Sequence, residues 1–158
     1  MEEKMTIQKQ AGFMRRMGAW FYDTLIISAI MMLTGGAMVA TLEMLYGLGV
    51  ISYGQFPDVS TYLNHDPLWQ NLYPITLVSV FSGFFAYFWC KGQTLGMRAW
   101  KLQVQQLDGS PITLTQAIIR MSTSAFGLGN LLVFISKDNA AFQDTWAKTR
   151  VIVLDKAV

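Results

Sequence analysis

Three long apolar segments alternate with polar segments along the chain. Residues 18–42 carry one charge, Asp23, and residues 68–90 carry none. A membrane-spanning helix needs about 20 apolar residues, so each of these segments is long enough to cross a bilayer. The pattern predicts an all-α integral membrane protein with two transmembrane helices and a third apolar segment at residues 112–135.

The third apolar segment has two interpretations. It contains Arg120, and Gly127 and Gly129 interrupt its helical pattern near the middle. A continuous helix would cross the membrane once. A re-entrant helical hairpin would return the chain to its starting side, with each arm of about ten residues spanning roughly 15 Å. Because the two glycines supply a bend, we favour the hairpin over a single span.

Capping residues mark where two of the apolar segments begin as helices. Residues 43–67 form a loop rich in turn-forming residues, and at its end Asp66 is suited to cap the second span. Thr113 and Gln116 fit a capping box that opens the third segment. The sequence therefore predicts helix starts near residues 67 and 114.

Two polar segments have β character. In residues 91–111, the run Lys101–Leu107 alternates polar and apolar residues like a strand. In the tail, residues 136–158, the run Arg150–Leu154 is similar. We expect the two runs to pair as a short sheet on the cytoplasmic side.

Positive charge is absent from one long block. Hydrophobic residues make up 53% of the chain and charged residues 14%, which excludes a disordered chain and a nucleic-acid-binding protein. No Lys or Arg occurs from Met17 to Cys90. Because cytoplasmic loops hold the excess of Lys and Arg, we expect residues 1–16 and 91–111 in the cytoplasm and residues 43–67 in the periplasm. The hairpin would also leave the tail in the cytoplasm.

Four motifs, in this order, resemble the RDD family of bacterial membrane proteins. They are Arg16-Met-Gly-Ala-Trp-Phe-Tyr-Asp23; Gly92-Gln-Thr-Leu-Gly-Met-Arg98 followed by Asp108-Gly109; Ala117-Ile-Ile-Arg120; and Phe142-Gln-Asp-Thr-Trp-Ala-Lys-Thr149. The resemblance covers almost the whole chain except the first loop. It implies a single membrane domain over residues 1–158, in the bacterial inner membrane, in a family described as candidate transporters.

The family is named for one Arg and two Asp, and the resemblance assigns these to Arg16, Asp23 and Asp144. The residue before the second Asp is often His in the family, whereas here it is Gln143. The resemblance therefore offers no titrating imidazole at that position.

Asp23 is the sharpest candidate for chemistry, because a carboxylate at membrane depth costs several kcal/mol unless it is paired or neutral. Counted along two helices that start from the same side, Asp23 and Arg120 lie about 7–8 Å and 10 Å deep. We therefore expect an Asp23–Arg120 ion pair. Arg16, about two turns from Asp23, is better placed to meet Asp144.

These four residues fit either an ion or proton relay or a structural ion pair that fixes helix packing. We expect a transporter of a monovalent cation or proton, working as a homo-oligomer through small residues of the first span, Gly35, Gly36 and Ala40. The alternative is a non-catalytic membrane subunit that assembles with or regulates a partner protein.

Other chemistry is not expected. The single cysteine, Cys90, and the single histidine, His65, cannot complete a metal site, so we expect no metal and no cofactor. The chain offers no nucleophile and base pair, so we do not expect an enzyme. A cleaved signal peptide fits poorly, since the first apolar run is too long and contains an acid.

Overall fold

The computed structural model describes residues 9–134, 136 and 140–154, except for the side chains of Ala125 and Phe126. Residues 1–8, 135, 137–139 and 155–158 lie outside the described residues. They belong to the predicted N-terminal tail, the end of the third apolar segment and the C-terminal tail. The described chain forms two compact units, one made of residues up to Leu25 and from Phe84 onward, the other of Ile26–Gly83.

Two described helices are long and apolar enough to cross a membrane. Helix α1 comprises Phe13–Gly47 (35 residues), and helix α3 comprises Trp69–Cys90 (22 residues). Each contains an 18-residue stretch of high mean hydropathy, 2.1 in α1 and 1.4 in α3. The two predicted long apolar helices are confirmed, although α1 is longer than residues 18–42. At about 52 Å, α1 exceeds the hydrocarbon thickness of about 30 Å.

The segment between α1 and α3 is not all loop. Helix α1 continues to Gly47 and ends in a turn where Gly49 adopts a left-handed φ of 71° and Val50 N–H donates to Leu45 O. A short helix, α2 (Val59–His65), follows and places the exposed His65 in its last turn. The prediction of a continuous loop over residues 43–67 missed this helix.

Aspartates begin both helices in this region. The Asp58 carboxylate accepts from Thr61 N at 2.7 Å and caps α2. The Asp66 carboxylate accepts from the backbone N–H groups of Leu68 and Trp69, at 3.0 and 3.2 Å, where α3 begins. Asp66 therefore caps the start of α3 as predicted.

A two-stranded sheet joins residues 91–111, the middle loop, to the tail. Strand β1 (Leu102–Gln106) pairs antiparallel with β2 (Thr149–Val153), with Val104 opposite Val151. This pairing is the one predicted from the alternating runs. Backbone bonds from Ala11 N to Val151 O and from Val153 N to Lys9 O, both 2.9 Å, also bind the N-terminal segment to β2.

The third apolar segment is not one straight helix. After a short helix α4 (Leu95–Ala99), helix α5 (Leu114–Thr123) begins at the predicted Thr113–Gln116 capping box. A 3-10 helix (Ala125–Phe134) follows, and the axis bends by 80° between the two. The break starts at Ser124, before the glycines that were expected to form it. The re-entrant hairpin stays a prediction.

A small apolar core positions the polar residues of the first unit. It gathers side chains from the N-terminal segment, α1, α4, both strands, α5 and the loop before α5: Ala11, Ala19, Met97, Leu102, Val104, Ile112, Ala117 and Val151. Trp89 and Cys90 from the end of α3 pack against it. Helix α6 (Phe142–Ala147) packs against α5 and the 3-10 helix. The start of α1, the middle loop and the tail are thereby held together.

Candidate functional site

Asp144 lies at the centre of a buried three-residue cluster. Its Oδ2 lies 2.7 Å from Arg16 Nη1, and its Oδ1 lies 2.6 Å from Arg120 Nη1. The side chain of Asp144 is 1% exposed, and those of Arg16 and Arg120 are 3% and 4% exposed. One carboxylate therefore connects the start of α1 to α5 through two charge-assisted hydrogen bonds. The predicted approach of Arg16 to Asp144 is confirmed.

Both guanidiniums are also held by neutral groups. Arg16 Nε donates to Ala11 O at 2.9 Å, and Arg120 Nη1 also donates to the Thr149 hydroxyl in β2. The Arg120 Cζ lies 5.3 Å from the centroid of the Trp89 ring, within the range of a cation–π contact. These contacts fix the side chains in place, which is typical of a structural ion-pair cluster.

The charge state of Asp144 follows from this packing. Burial alone would raise the pKa of the Asp144 carboxyl. The positive charges of Arg120 and Arg16, together with hydrogen bonds from Arg120 and the Ala141 N–H, outweigh that effect and lower the pKa below the usual aspartate value. Asp144 is therefore ionised at neutral pH.

Asp23 lies in a different environment. It is a buried carboxylate in α1, 4% exposed, and it accepts two hydrogen bonds from the start of α4. Thr94 Oγ1 lies 2.5 Å from its Oδ2, and Gly96 N donates to its Oδ1 at 2.8 Å. Within the described parts of the chain, Asp23 makes no ion pair. Both hydrogen-bonding partners are neutral.

Local sequence explains how α4 reaches Asp23. Thr94 is the N-cap of α4, and its hydroxyl accepts from Met97 N at 3.1 Å while it faces Asp23. Gly96 allows the close approach. A Cβ on Gly96 would lie 2.9 Å from Asp23 Cγ and closer still to the Ala19 carbonyl oxygen. A hydroxyl at residue 94 and no side chain at residue 96 are both required by this geometry.

The predicted Asp23–Arg120 ion pair is wrong. The depth estimate treated α5 as a helix entering the membrane beside α1. Instead, α5 packs against α6, and Arg120 contacts Asp144 and Thr149 in the tail. Asp23 is covered by α4. The structure therefore brings together three of the four predicted site residues and gives Asp23 other partners.

Gln143 also has a buried polar partner. Its side chain is 5% exposed and donates from Nε2 to Asn130 Oδ1 in the 3-10 helix at 2.8 Å. A Cβ on Gly129 would overlap the Gln143 amide oxygen, so the glycine makes room for this contact. Gln143 thus joins α6 to the 3-10 helix.

Sequence analysis missed the neutral partners in both places. Thr94 and Gly96 lie in a motif that resembles the family, but neither carries a charge that could suggest a partner for Asp23. Their signal was the N-cap residue type at Thr94 with a glycine two residues later. Nothing in the sequence indicated that Thr149 and Trp89 would contact Arg120.

Comparison with known protein families gives a match. The sequence model of the RDD family matches residues 10–148. This range includes the first three motifs, the fourth motif up to Lys148, and the side chains of Arg16, Asp23, Arg120 and Asp144. No curated protein and no solved structure matches the chain. The family match covers most of the sequence, and the chain belongs to the RDD family.

Proposed function

We propose that this protein moves protons across the bacterial inner membrane, with Asp23 as the group that takes up and releases the proton. The observation that carries the proposal is a buried carboxylate in a helix apolar enough to span a membrane, held by two neutral donors. Ionisable groups at such positions are functional candidates by default, since their burial is costly. The proposal involves no catalytic step, metal or cofactor.

The donors around Asp23 favour a proton over a monovalent metal cation. A metal cation needs several oxygen acceptors around it. The Gly96 N–H group points its positive end at one oxygen of Asp23, and the Thr94 hydroxyl donates to the other. Such donors compete with a metal ion for the same lone pairs, whereas a proton needs one of them.

The same contacts can hold both protonation states. A protonated Asp23 keeps the bond from Gly96 N, and its own O–H can donate to the second lone pair of the Thr94 hydroxyl. Asp144 lacks this freedom, because each of its oxygens faces a guanidinium. We therefore give the relay to Asp23 and a structural role to Arg16, Arg120 and Asp144.

The proposal includes a multi-pass arrangement with a cytoplasmic N-terminus, as the distribution of Lys and Arg favours. It also includes a homo-oligomer, since two spans and a bent segment enclose little space for a pathway. The space beside Gly35 is already filled by the chain itself, because a Cβ on Gly35 would lie 2.8 Å from Tyr73 Oη. Gly36 and Ala40 are exposed on α1, and they are the small residues available for contact with a second copy.

Proton flux in proteoliposomes tests the proposal. Purified full-length protein would be reconstituted with a pH-sensitive dye inside, and a potassium diffusion potential would drive protons inward. We expect protein-dependent acidification that protein-free vesicles lack and that replacement of sodium by choline leaves unchanged. No flux above the control would refute the proton transporter, and flux that requires sodium would favour a coupled cation.

A non-catalytic membrane subunit is the second candidate. It is favoured by the Arg16–Asp144–Arg120 cluster, in which each oxygen of Asp144 is paired with a guanidinium. These buried ion pairs join α1 and α5 to the tail, which is a structural role. This function predicts no flux in the same vesicles and a stoichiometric membrane partner that co-purifies from native membranes.

A further inference from the structure

In the described part of the first unit, exposed charge is almost entirely positive. Among its described residues, six Lys and Arg are exposed, namely Lys9, Arg15, Lys91, Arg98, Lys101 and Lys148. The exposed acid among the same residues is Asp108, which accepts from Ser110 in a turn. Such an excess of one sign indicates an anionic partner.

Three of these cations lie near a tryptophan that packs on α1, two of them close to it in the chain and one a helical turn from its contact on α1. A Cβ on Gly18 would overlap the Trp100 indole, with Trp100 Cδ2 at 2.8 Å, so the ring lies directly on the helix. Arg15 lies one turn before Gly18, on the same side of α1. Arg98 and Lys101 flank Trp100 in the chain. Within the described residues, the side chains of Arg15, Arg98 and Lys101 have no ion-pair partner.

The backbone around Trp100 is held firmly. Trp100 N–H donates to Gly96 O, and Lys101 N–H donates to Arg98 O, each at 3.2 Å. The Lys101 carbonyl accepts from Leu154 N at 2.8 Å, which attaches the turn to the end of β2. Lys101 has a left-handed φ of 54°. A turn fixed in this way presents its cations without first having to be ordered.

The surroundings identify the class of anion. Trp100 is 38% exposed and Tyr22, one turn beyond Gly18 on α1, is 49% exposed. Half-exposed Trp and Tyr at the end of a long apolar helix are typical of the level of the lipid headgroups, where one side of the ring is apolar and the other is wet. Phosphodiester groups lie at that level, and Arg binds them with paired N–H donors.

We propose that Arg15, Arg98 and Lys101, arranged around Trp100, form a binding site for the phosphodiester headgroup of an anionic phospholipid. Trp100 contacts the glycerol and upper acyl region, and the three cations bind the phosphate. This site does not depend on proton transport, since it needs only the membrane setting of α1.

Native mass spectrometry of the full-length protein tests the site. Phosphatidylglycerol and phosphatidylcholine with identical acyl chains would be added to the protein in detergent, and the bound fraction of each would be measured. We expect the protein to prefer phosphatidylglycerol. The triple variant R15Q/R98Q/K101Q should bind it about fivefold more weakly for each charge removed, or roughly a hundredfold in all. Higher salt should weaken binding as well.

Two further variants make the result specific. K148Q removes an exposed cation that follows α6 and is not part of the proposed site. This variant should leave the preference for phosphatidylglycerol unchanged within about twofold. R15K/R98K/K101R keeps all three charges and should retain most of the preference. Equal binding of the two lipids, a triple variant that binds like wild type, or an equal loss in K148Q would overturn the proposal. Circular dichroism on each variant verifies that helix content is kept.

Discussion

The Thr94 hydroxyl contacts the Asp23 carboxylate at 2.5 Å, across 71 positions in the sequence. The contact attaches α4, at the start of the middle loop, to α1. Gly96 adds a second bond to the same carboxylate. A change in the charge of Asp23 would therefore act directly on the two hydrogen bonds that hold the segment Thr94–Ala99 against α1.

Replacing Asp144 by Asn should be the most destabilising single charge change in the chain. The substitution leaves two buried guanidiniums without a counter-charge, which typically costs about 3–5 kcal/mol. We expect a loss of this size in the free energy of unfolding in mixed micelles. Asp108→Asn, on an exposed turn, is the control and should change it by less than about 1 kcal/mol. Similar effects for both variants would contradict a stabilising cluster.

The stability of the protein should fall in acid through Asp144. Its pKa is lowered by folding, so the folded state is favoured by ionised Asp144. This contribution is fully present above the unfolded pKa of about 3.9, and it is lost as the pH falls through the lower folded pKa. Thermal unfolding measured from pH 7 to pH 3 should show a steeper loss below pH 4 in wild type than in Asp144→Asn. Parallel curves would exclude this group as the cause.

Replacing Gly96 by Ala should open the contact between α4 and α1. The added methyl group would meet the Asp23 carboxylate and the Ala19 carbonyl, both of which are held by a helix. Overpacking of this kind typically costs about 1–3 kcal/mol. Gly83→Ala is the matched control, since nothing lies within 4 Å of its Cβ position in α3. Equal stability of the two variants in thermal unfolding would show that the close approach at Gly96 is unimportant.

Double-mutant cycles should separate the two sites. Among the residues that the structure describes, Asp23 and Arg120 share no contact partner. The effects of Asp23→Asn and Arg120→Gln on the free energy of unfolding should therefore add within about 0.5 kcal/mol. Arg120→Gln and Asp144→Asn remove the two ends of one ion pair, and they should couple by about 1–3 kcal/mol. A strong coupling of Asp23 with Arg120 would restore the pairing that the structure excludes.

The two long helices, the start of α5 and the sheet were predictable because each depends on a short-range pattern. The lengths of the apolar runs predicted α1 and α3, and alternation in Lys101–Leu107 and Arg150–Leu154 predicted the strand pairing. Asp66 and Thr113 marked helix starts by residue type. The short helix α2 was not predicted, because seven residues among turn formers are too few to show a helical pattern of apolar positions.

The partners of the charged residues were only partly predictable. Arg16 and Asp144 followed from reach and opposite charge. Asp23 did not, because its partners Thr94 and Gly96 are neutral, and the search for a counter-charge pointed to Arg120. The axis bends by 80° after α5, and the tail beyond that bend supplies Asp144 and Thr149, the residues that contact Arg120. No pattern within α5 contains that information.

The central claim, that Asp23 carries the proton, is tested most directly by proton flux through Asp23→Asn in proteoliposomes. Asn keeps an acceptor for Gly96 N and can donate to the Thr94 hydroxyl, so the variant should fold and reconstitute like wild type. Its proton flux should fall to the level of protein-free vesicles, while Asp58→Asn, which changes an exposed cap, keeps the wild-type rate. Wild-type flux through folded Asp23→Asn would contradict the account.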